Sequence, residues 1–236
     1  MLPTGYKPSL CGMRKILEVT RRGVLVSALV ISTLAAASAK VHVITMGKWI
    51  PVQWFGLSDS TPLTLRIRPL LVDGRIKEYV LGSTHEVTDR LFVARRVFRI
   101  NDGLPEDSVP LWQWQRGGWL LVDRVSGRIS PVVLPEFDPY HSLASWYRDY
   151  AAYCAVGEDG KKTYAVVAEL TRRKPVLKKL LSGSVKEDAG PDSICPAPAW
   201  QRNPVRVSFE PPGGKRLTFI IRGNAVDLVN DMDDDE

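Results

Sequence analysis

The stretch that decides the fold lies at residues 150–170, which read YAAYCAVGEDGKKTYAVVAEL. Two apolar runs, Tyr150–Val156 and Thr163–Leu170, flank a polar Glu-Asp-Gly reversal at 158–160. An Asp-Gly pair between two such runs favours a tight turn, because glycine adopts the positive φ angles that the turn needs. The sequence therefore predicts an antiparallel β-hairpin at this point.

The same pattern continues outward from this hairpin in both directions. Turn signals recur at Asp73-Gly74, Ser126-Gly127 and Gly213-Gly214, each between short runs of β-branched and aromatic residues. The other runs that predict strands are His42–Thr45, Val52–Phe55, Thr64–Leu71, Ile76–Leu81, Arg90–Ile100, Gly118–Val125, Ile129–Leu134, Pro175–Leu181, Val205–Glu210, Leu217–Arg222 and Val226–Val229.

These runs predict an all-β fold. The chain has 17 prolines and 18 glycines, which interrupt it every few residues, and no long segment repeats with the 3.6-residue period of a helix. Short connections between successive strands favour an antiparallel meander. We expect a small β-propeller-like arrangement, with a β-sandwich as the alternative.

Two hairpins also resemble the blades of TolB-like and WD40-like β-propellers. The run WLLVDRVSGRI at 119–129 resembles their blade-closing hairpin, and residues 151–166 resemble their "PDGK" hairpin, with Glu158 where proline is usual. Units that begin near Leu91, Tyr150 and Val205 give partial support to a repeat. The resemblance covers about 120–180 and implies a propeller-like fold. As a whole, the chain resembles exported bacterial β-proteins, which implies no particular activity.

Residues 1–39 predict a cleavable signal peptide. A basic leader ends at Arg21-Arg22, an uncharged apolar run follows, and Ala37-Ser38-Ala39 closes it with the small residues that signal peptidase accepts. A retained anchor is the alternative, but the run is shorter than the roughly 20 residues of a comfortable membrane span. We therefore expect an exported protein, periplasmic or extracellular, that uses the Sec route or the twin-arginine route.

The remaining chain is predicted to form one β-rich domain over 40–230, followed by a disordered acidic tail over 231–236. A Pro- and Gly-rich loop is expected near 182–204. The formal net charge of the whole chain is +6, and much of that excess lies in the predicted signal peptide. A nearly balanced mature chain outside the cytoplasm argues against nucleic acid as a partner.

The mature chain contains only two cysteines, Cys154 and Cys195. In an oxidising compartment they allow a single disulfide, whereas two buried free thiols are the alternative. A disulfide would attach the 182–204 loop to the predicted strand that contains Cys154.

Tryptophan is the one compositional excess, and the densest cluster reads WQWQRGGW at 112–119. Alternation along a strand places Trp112 and Trp114 on one face. Aromatic rows flanked by Gln and Arg suit sugar stacking or a protein hot spot, whereas packing in the core is the alternative. The residues that we predict for this binding surface are Trp112, Trp114, Arg116, Trp119, Tyr147 and Arg148.

Motifs for catalysis, metals and cofactors are absent from the sequence. The chain has three histidines, and none lies at metal-ligand spacing to another. Glu136, Asp138 and His141 are the only carboxylates and base that suggest hydrolysis of a glycan or peptide. We therefore predict a non-enzymatic binding or scaffolding module for a protein or glycan partner of the cell envelope. Self-association is a further option, and an envelope hydrolase is the alternative function.

Overall fold

A computed structural model describes residues 41–55, 62–158, 160, 162–181, 194–222 and 225–229. The chain divides into two units, 1–40 and 41–236, and every described residue belongs to the second unit. The predicted signal peptide over 1–39 and the predicted tail over 231–236 lie outside the described residues. Within the described ranges, no helix has the length and apolar character of a membrane span.

The described residues form fifteen strands and no helix, so the predicted all-β class is confirmed. Every strand pair is antiparallel, as expected for a meander. The strands are β1 (Ile44–Met46), β2 (Ile50–Trp54), β3 (Leu63–Val72), β4 (Arg75–Glu86), β5 (Leu91–Asn101), β6 (Trp112–Asp123), β7 (Ile129–Val132), β8 (Ala144–Tyr147), β9 (Tyr150–Val156), β10 (Thr163–Glu169), β11 (Leu177–Leu180), β12 (Ala199–Gln201), β13 (Arg206–Phe209), β14 (Leu217–Arg222) and β15 (Ala225–Val229).

Turn chemistry sets the hairpins where the sequence predicts them. Val72 pairs with Arg75, so that Asp73 and Gly74 form a two-residue loop between β3 and β4. Their φ angles are 52° and 75°, the two positive values of a type I′ turn. This turn matches the right-handed twist of the flanking strands, which explains why such a short connection closes the hairpin.

The strands form three meander sheets. The first has seven strands in the order β1-β3-β4-β5-β6-β7, and β2 also pairs with β3. The second runs β11-β10-β9-β8, and the third runs β12-β13-β14-β15. Strand order therefore follows chain order within each sheet almost throughout. The propeller-like closure remains a prediction, because these registers establish the sheets and not a ring.

The two central strands of the second sheet, β9 and β10, are buried on both faces. Ala152 and Cys154 of β9 face a core that also contains Val207 and Phe209 of the third sheet. Tyr153, which points the opposite way, belongs to another cluster, with Phe137 and Trp146 packed against it. Alternation along β9 thus supplies two cores at once, and this is why a run of small apolar residues occupies the strand.

The predicted disulfide between Cys154 and Cys195 is confirmed. The two Cα atoms are 6.1 Å apart and the residues are 41 positions apart in sequence. The bridge attaches β9 to the segment that enters β12. Of the 182–204 segment predicted as a loop, residues 194–204 are described, and they contain the short strand β12 at Ala199–Gln201.

Candidate functional site

The hairpin of β5 and β6 carries the two tryptophans that begin the predicted binding surface. Asn101 pairs with Trp112 and Arg99 with Trp114, so that both indoles leave the same face of the sheet. The Arg99 guanidinium carbon lies 5.6 Å from the Trp112 ring centroid and 5.3 Å from that of Trp114. Tyr79 of β4 meets Trp114 edge to face at 5.1 Å. We call Tyr79, Trp114, Arg99 and Trp112 the aromatic ladder.

The loop between β5 and β6 adds apolar side chains to the end of this ladder. Leu104, Val109 and Leu111 are exposed, and Trp112 is 57% exposed. We call these four residues the hairpin-tip patch. Exposed apolar residues scattered singly need no explanation, whereas several on one short loop are typical of an interaction surface.

Hydrogen bonds give this loop a defined conformation. The Asp102 amide donates to the Leu111 carbonyl at 2.8 Å, and the Leu104 amide donates to Asp107 Oδ2 at 2.7 Å. Gln113 Nε2 donates to Asp102 Oδ2 at 2.9 Å, which ties the loop to the polar face of β6. Ordering before binding lowers the entropic cost of association.

Arg116 and Trp119 occupy the inner half of the same face and are buried, at 8% and 9% exposure. The register between β5 and β6 shifts at this point, with Val97 opposite Arg116 and Arg95 opposite Trp119. Arg116 and Trp119 are three residues apart on β6, whereas their partners Val97 and Arg95 are two apart on β5. The extra residue forms a β-bulge, which places Trp119 on the same face as Arg116. The structure therefore places these two residues of the predicted binding surface inside the protein, whereas Trp112 is exposed.

The contacts of the two buried residues explain their burial. The Arg116 guanidinium carbon lies 4.7 Å from the Trp54 ring centroid, and Trp119 meets Trp146 of the second sheet edge to face at 5.2 Å. Arg116 also donates to the Tyr140 carbonyl at 3.4 Å. Both residues therefore join the first sheet to the elements that follow β7.

Tyr147 and Arg148 lie in the second sheet, at the tight turn between β8 and β9. Tyr147 stacks on Trp200 of β12 with 5.5 Å between centroids, and the Arg148 guanidinium carbon lies 5.5 Å from the Tyr147 ring. His85 of β4 donates through Nε2 to the Arg148 carbonyl at 2.8 Å. These contacts connect the three sheets. The pair lies apart from the aromatic ladder, because His85 pairs with Val93 whereas Trp112 pairs with Asn101 at the other end of β5.

Two of the three alternative catalytic residues, Glu136 and Asp138, anchor the loop that follows β7, residues 135–142. Glu136 forms an ion pair with Lys178 of β11, and this carboxylate raises the pKa of the lysine. Asp138 Oδ1 accepts from the backbone amides of Tyr140 and His141 at 2.7 and 3.2 Å. Both carboxylates are thus engaged by the loop or by the strand beside it. Among the residues that the structure describes, no group of three or more His, Cys, Asp or Glu side chains could hold a metal ion.

The same loop covers two buried arginines. Arg95 donates to the carbonyls of Pro139 and Ser142 at 2.7 and 3.4 Å, beside the bond from Arg116 to Tyr140. Tyr153 fixes the start of the loop, because its hydroxyl donates to the Pro135 carbonyl at 2.7 Å. Burial raises the pKa of Tyr153, so the hydroxyl keeps the proton that this bond needs.

Sequence reasoning missed two members of the ladder, Arg99 and Tyr79, and the apolar loop at its end. Both residues come from strands whose register with β6 cannot be read from local pattern. The signal that could have found the loop is its composition, since Leu104, Val109 and Leu111 stand in a segment otherwise rich in proline and acidic residues.

Comparison of the chain with protein-family models, with curated proteins and with solved structures found no match.

Proposed function

We propose that this protein is an exported, non-enzymatic binding module that captures a protein partner through the hairpin-tip patch and the aromatic ladder. The observation that carries the proposal is the exposure of Trp112 beside Leu104, Val109 and Leu111 on one ordered loop. The Cys154–Cys195 disulfide is compatible with export, because such bonds persist mainly in oxidising compartments.

The composition of the patch favours a protein over a glycan at this site. Three exposed aliphatic side chains accompany one exposed indole, and aliphatic groups supply apolar contact area in a protein interface. The Arg99 guanidinium contacts the rings of both Trp112 and Trp114. These contacts restrict the rotamers of the two indoles before binding, so that association costs less side-chain entropy. A rigid aromatic anchor with an apolar surround is the arrangement that hot spots use.

The test begins with a photocrosslinking residue at position 109 in cells that naturally produce the protein, to identify the partner. The purified partner is then titrated calorimetrically against wild type, Trp112→Ala and Leu111→Ser. We expect Trp112→Ala to weaken binding by about 30-fold or more, because a hot-spot truncation costs about 2 kcal/mol or more.

The matched control is Leu180→Ser in β11 of the second sheet, since Leu180 is 55% exposed and Leu111 is 54% exposed. This control should keep the wild-type affinity within about twofold, because it leaves the patch intact. Equal affinities for wild type, Trp112→Ala and Leu111→Ser would contradict the assignment of this surface. Loss of binding in Leu180→Ser alone would move the interface to the second sheet.

A further inference from the structure

A groove on the first sheet brings one indole and two guanidinium groups together, apart from the hairpin-tip patch. Trp49 directly precedes β2, and Arg66 and Arg68 lie two positions apart on β3, so that their side chains leave the same face. The guanidinium carbons of Arg68 and Arg66 lie 4.6 and 5.8 Å from the Trp49 ring centroid. Trp49 is nevertheless 40% exposed, which leaves part of it open to a ligand.

The charge of these two arginines is not neutralised within the described part of the chain. Neither Arg66 nor Arg68 forms an ion pair or hydrogen bond with another described residue, and Arg68 Nε is buried without a hydrogen-bond partner. Glu78, on the same face of neighbouring β4, is bound to Arg96 Nε at 2.9 Å. Two cations held together on one face attract an anion, because its binding relieves their mutual repulsion.

The residues that border the groove add hydroxyl groups. Its volume is about 540 Å³, within the range of small-ligand clefts. Thr64 lies on the face of Arg66 and Arg68, and Thr64 and Ser83 supply hydroxyls. Ser83 follows Gly82 within the register shift of β4 against β5, and β4 is the strand next to the one that carries the two arginines.

We propose that this groove binds a carboxylated sugar ring, the uronate unit of an acidic glycan. The planar carboxylate matches the forked donors of a guanidinium group, which a lysine ammonium could not provide. The C–H face of a pyranose packs on the exposed part of the indole, and Thr64 and Ser83 bond its hydroxyls. An acidic peptide would use the arginines but would leave the ring face and the hydroxyl groups without matched partners.

The test is calorimetric titration of the full chain with tetragalacturonate in 0.1 M salt, with its fully methyl-esterified form as the uncharged counterpart. Wild type should bind the acid, and the ester should bind at least about tenfold more weakly, because it lacks the carboxylates that pair with arginine. Arg66→Gln/Arg68→Gln should lose at least about tenfold in affinity, and Arg68→Lys should fall between, because it keeps the charge and loses the fork.

The matched control is Arg75→Gln/Lys77→Gln on β4, which removes the same two positive charges from exposed positions outside the groove. It should bind tetragalacturonate within about twofold of wild type, since screening weakens charges distant from the ligand. Thermal unfolding of each variant verifies the fold. Three results would overturn the proposal: no binding by wild type, equal losses in both double variants, or binding only of inorganic phosphate or a tetra-aspartate peptide.

Discussion

Individual residues on β6 show how one face of a strand passes from surface to core. Trp112, Trp114, Arg116 and Trp119 share a face, yet the first is exposed and the last two are buried. What separates them is the covering layer, since Trp54, Trp146 and the 135–142 loop lie only over the inner half. The sequence allowed a surface position or a core position for this tryptophan cluster. Both occur on the same strand, since Trp112 is exposed and Trp119 is buried.

This division predicts different stabilities for two tryptophan variants. Trp119→Ala should lower the free energy of unfolding by about 3–5 kcal/mol, because it removes a buried indole and its edge-to-face contact with Trp146. Trp112→Ala is the matched surface variant and should change it by about 1 kcal/mol or less. Urea unfolding followed by circular dichroism measures both. Equal destabilisation by the two variants would contradict the burial assigned here.

Whole strands were predictable where pattern and turn chemistry agreed. The β3–β4 and β9–β10 hairpins have alternating or fully apolar runs on both sides of an Asp-Gly turn, and both formed as predicted. The sequence did not predict β8 and β12, because neither strand contains a β-branched residue. Short strands form through their partners: β8 exists by pairing with β9, and β12 by pairing with β13.

At the level of the β3–β4 hairpin, we predict that Gly74→Ala is destabilising. Gly74 has a φ of 75° and open space around the position of a Cβ, so the cost is purely conformational. An L-residue in this left-handed region costs about 1–2 kcal/mol, and unfolding in urea should show a loss of that size.

Gly118→Ala in β6 is the control for that variant. Gly118 also has open space at the Cβ position but no positive φ, so its substitution should change stability by about 0.5 kcal/mol or less. If Gly118→Ala and Gly74→Ala behaved alike, the type I′ turn would not be the reason for the glycine.

At the scale of the whole molecule, the disulfide connects two sheets through their shared core. Cys154 and Cys195 are both buried among residues of the second and third sheets, including Val207 and Phe219. Closing a loop of this length should stabilise the folded state by roughly 3–4 kcal/mol, mainly by restricting the unfolded chain.

We therefore expect Cys154→Ala/Cys195→Ala to lower the free energy of unfolding by about that amount, roughly 3–4 kcal/mol, in urea titrations without reductant. The control is wild type with a strong reductant, which should move towards the stability of the double variant. Reductant should have no effect on the double variant itself. A reductant effect of equal size in both proteins would show that the bond is not the source of the stability.

The sequence by itself determined the all-β class, the antiparallel order, most hairpins and the cysteine pair, because these depend on local turn chemistry, alternation and residue counts. Only the tertiary structure decided which tryptophans are exposed, which strand presents Arg99 between two indoles, and how Trp49 meets Arg66 and Arg68. These features depend on strand register and on which layer covers which face. Strand register and the covering of a sheet face both arise from contacts between residues far apart in the chain. A local sequence pattern therefore does not predict them.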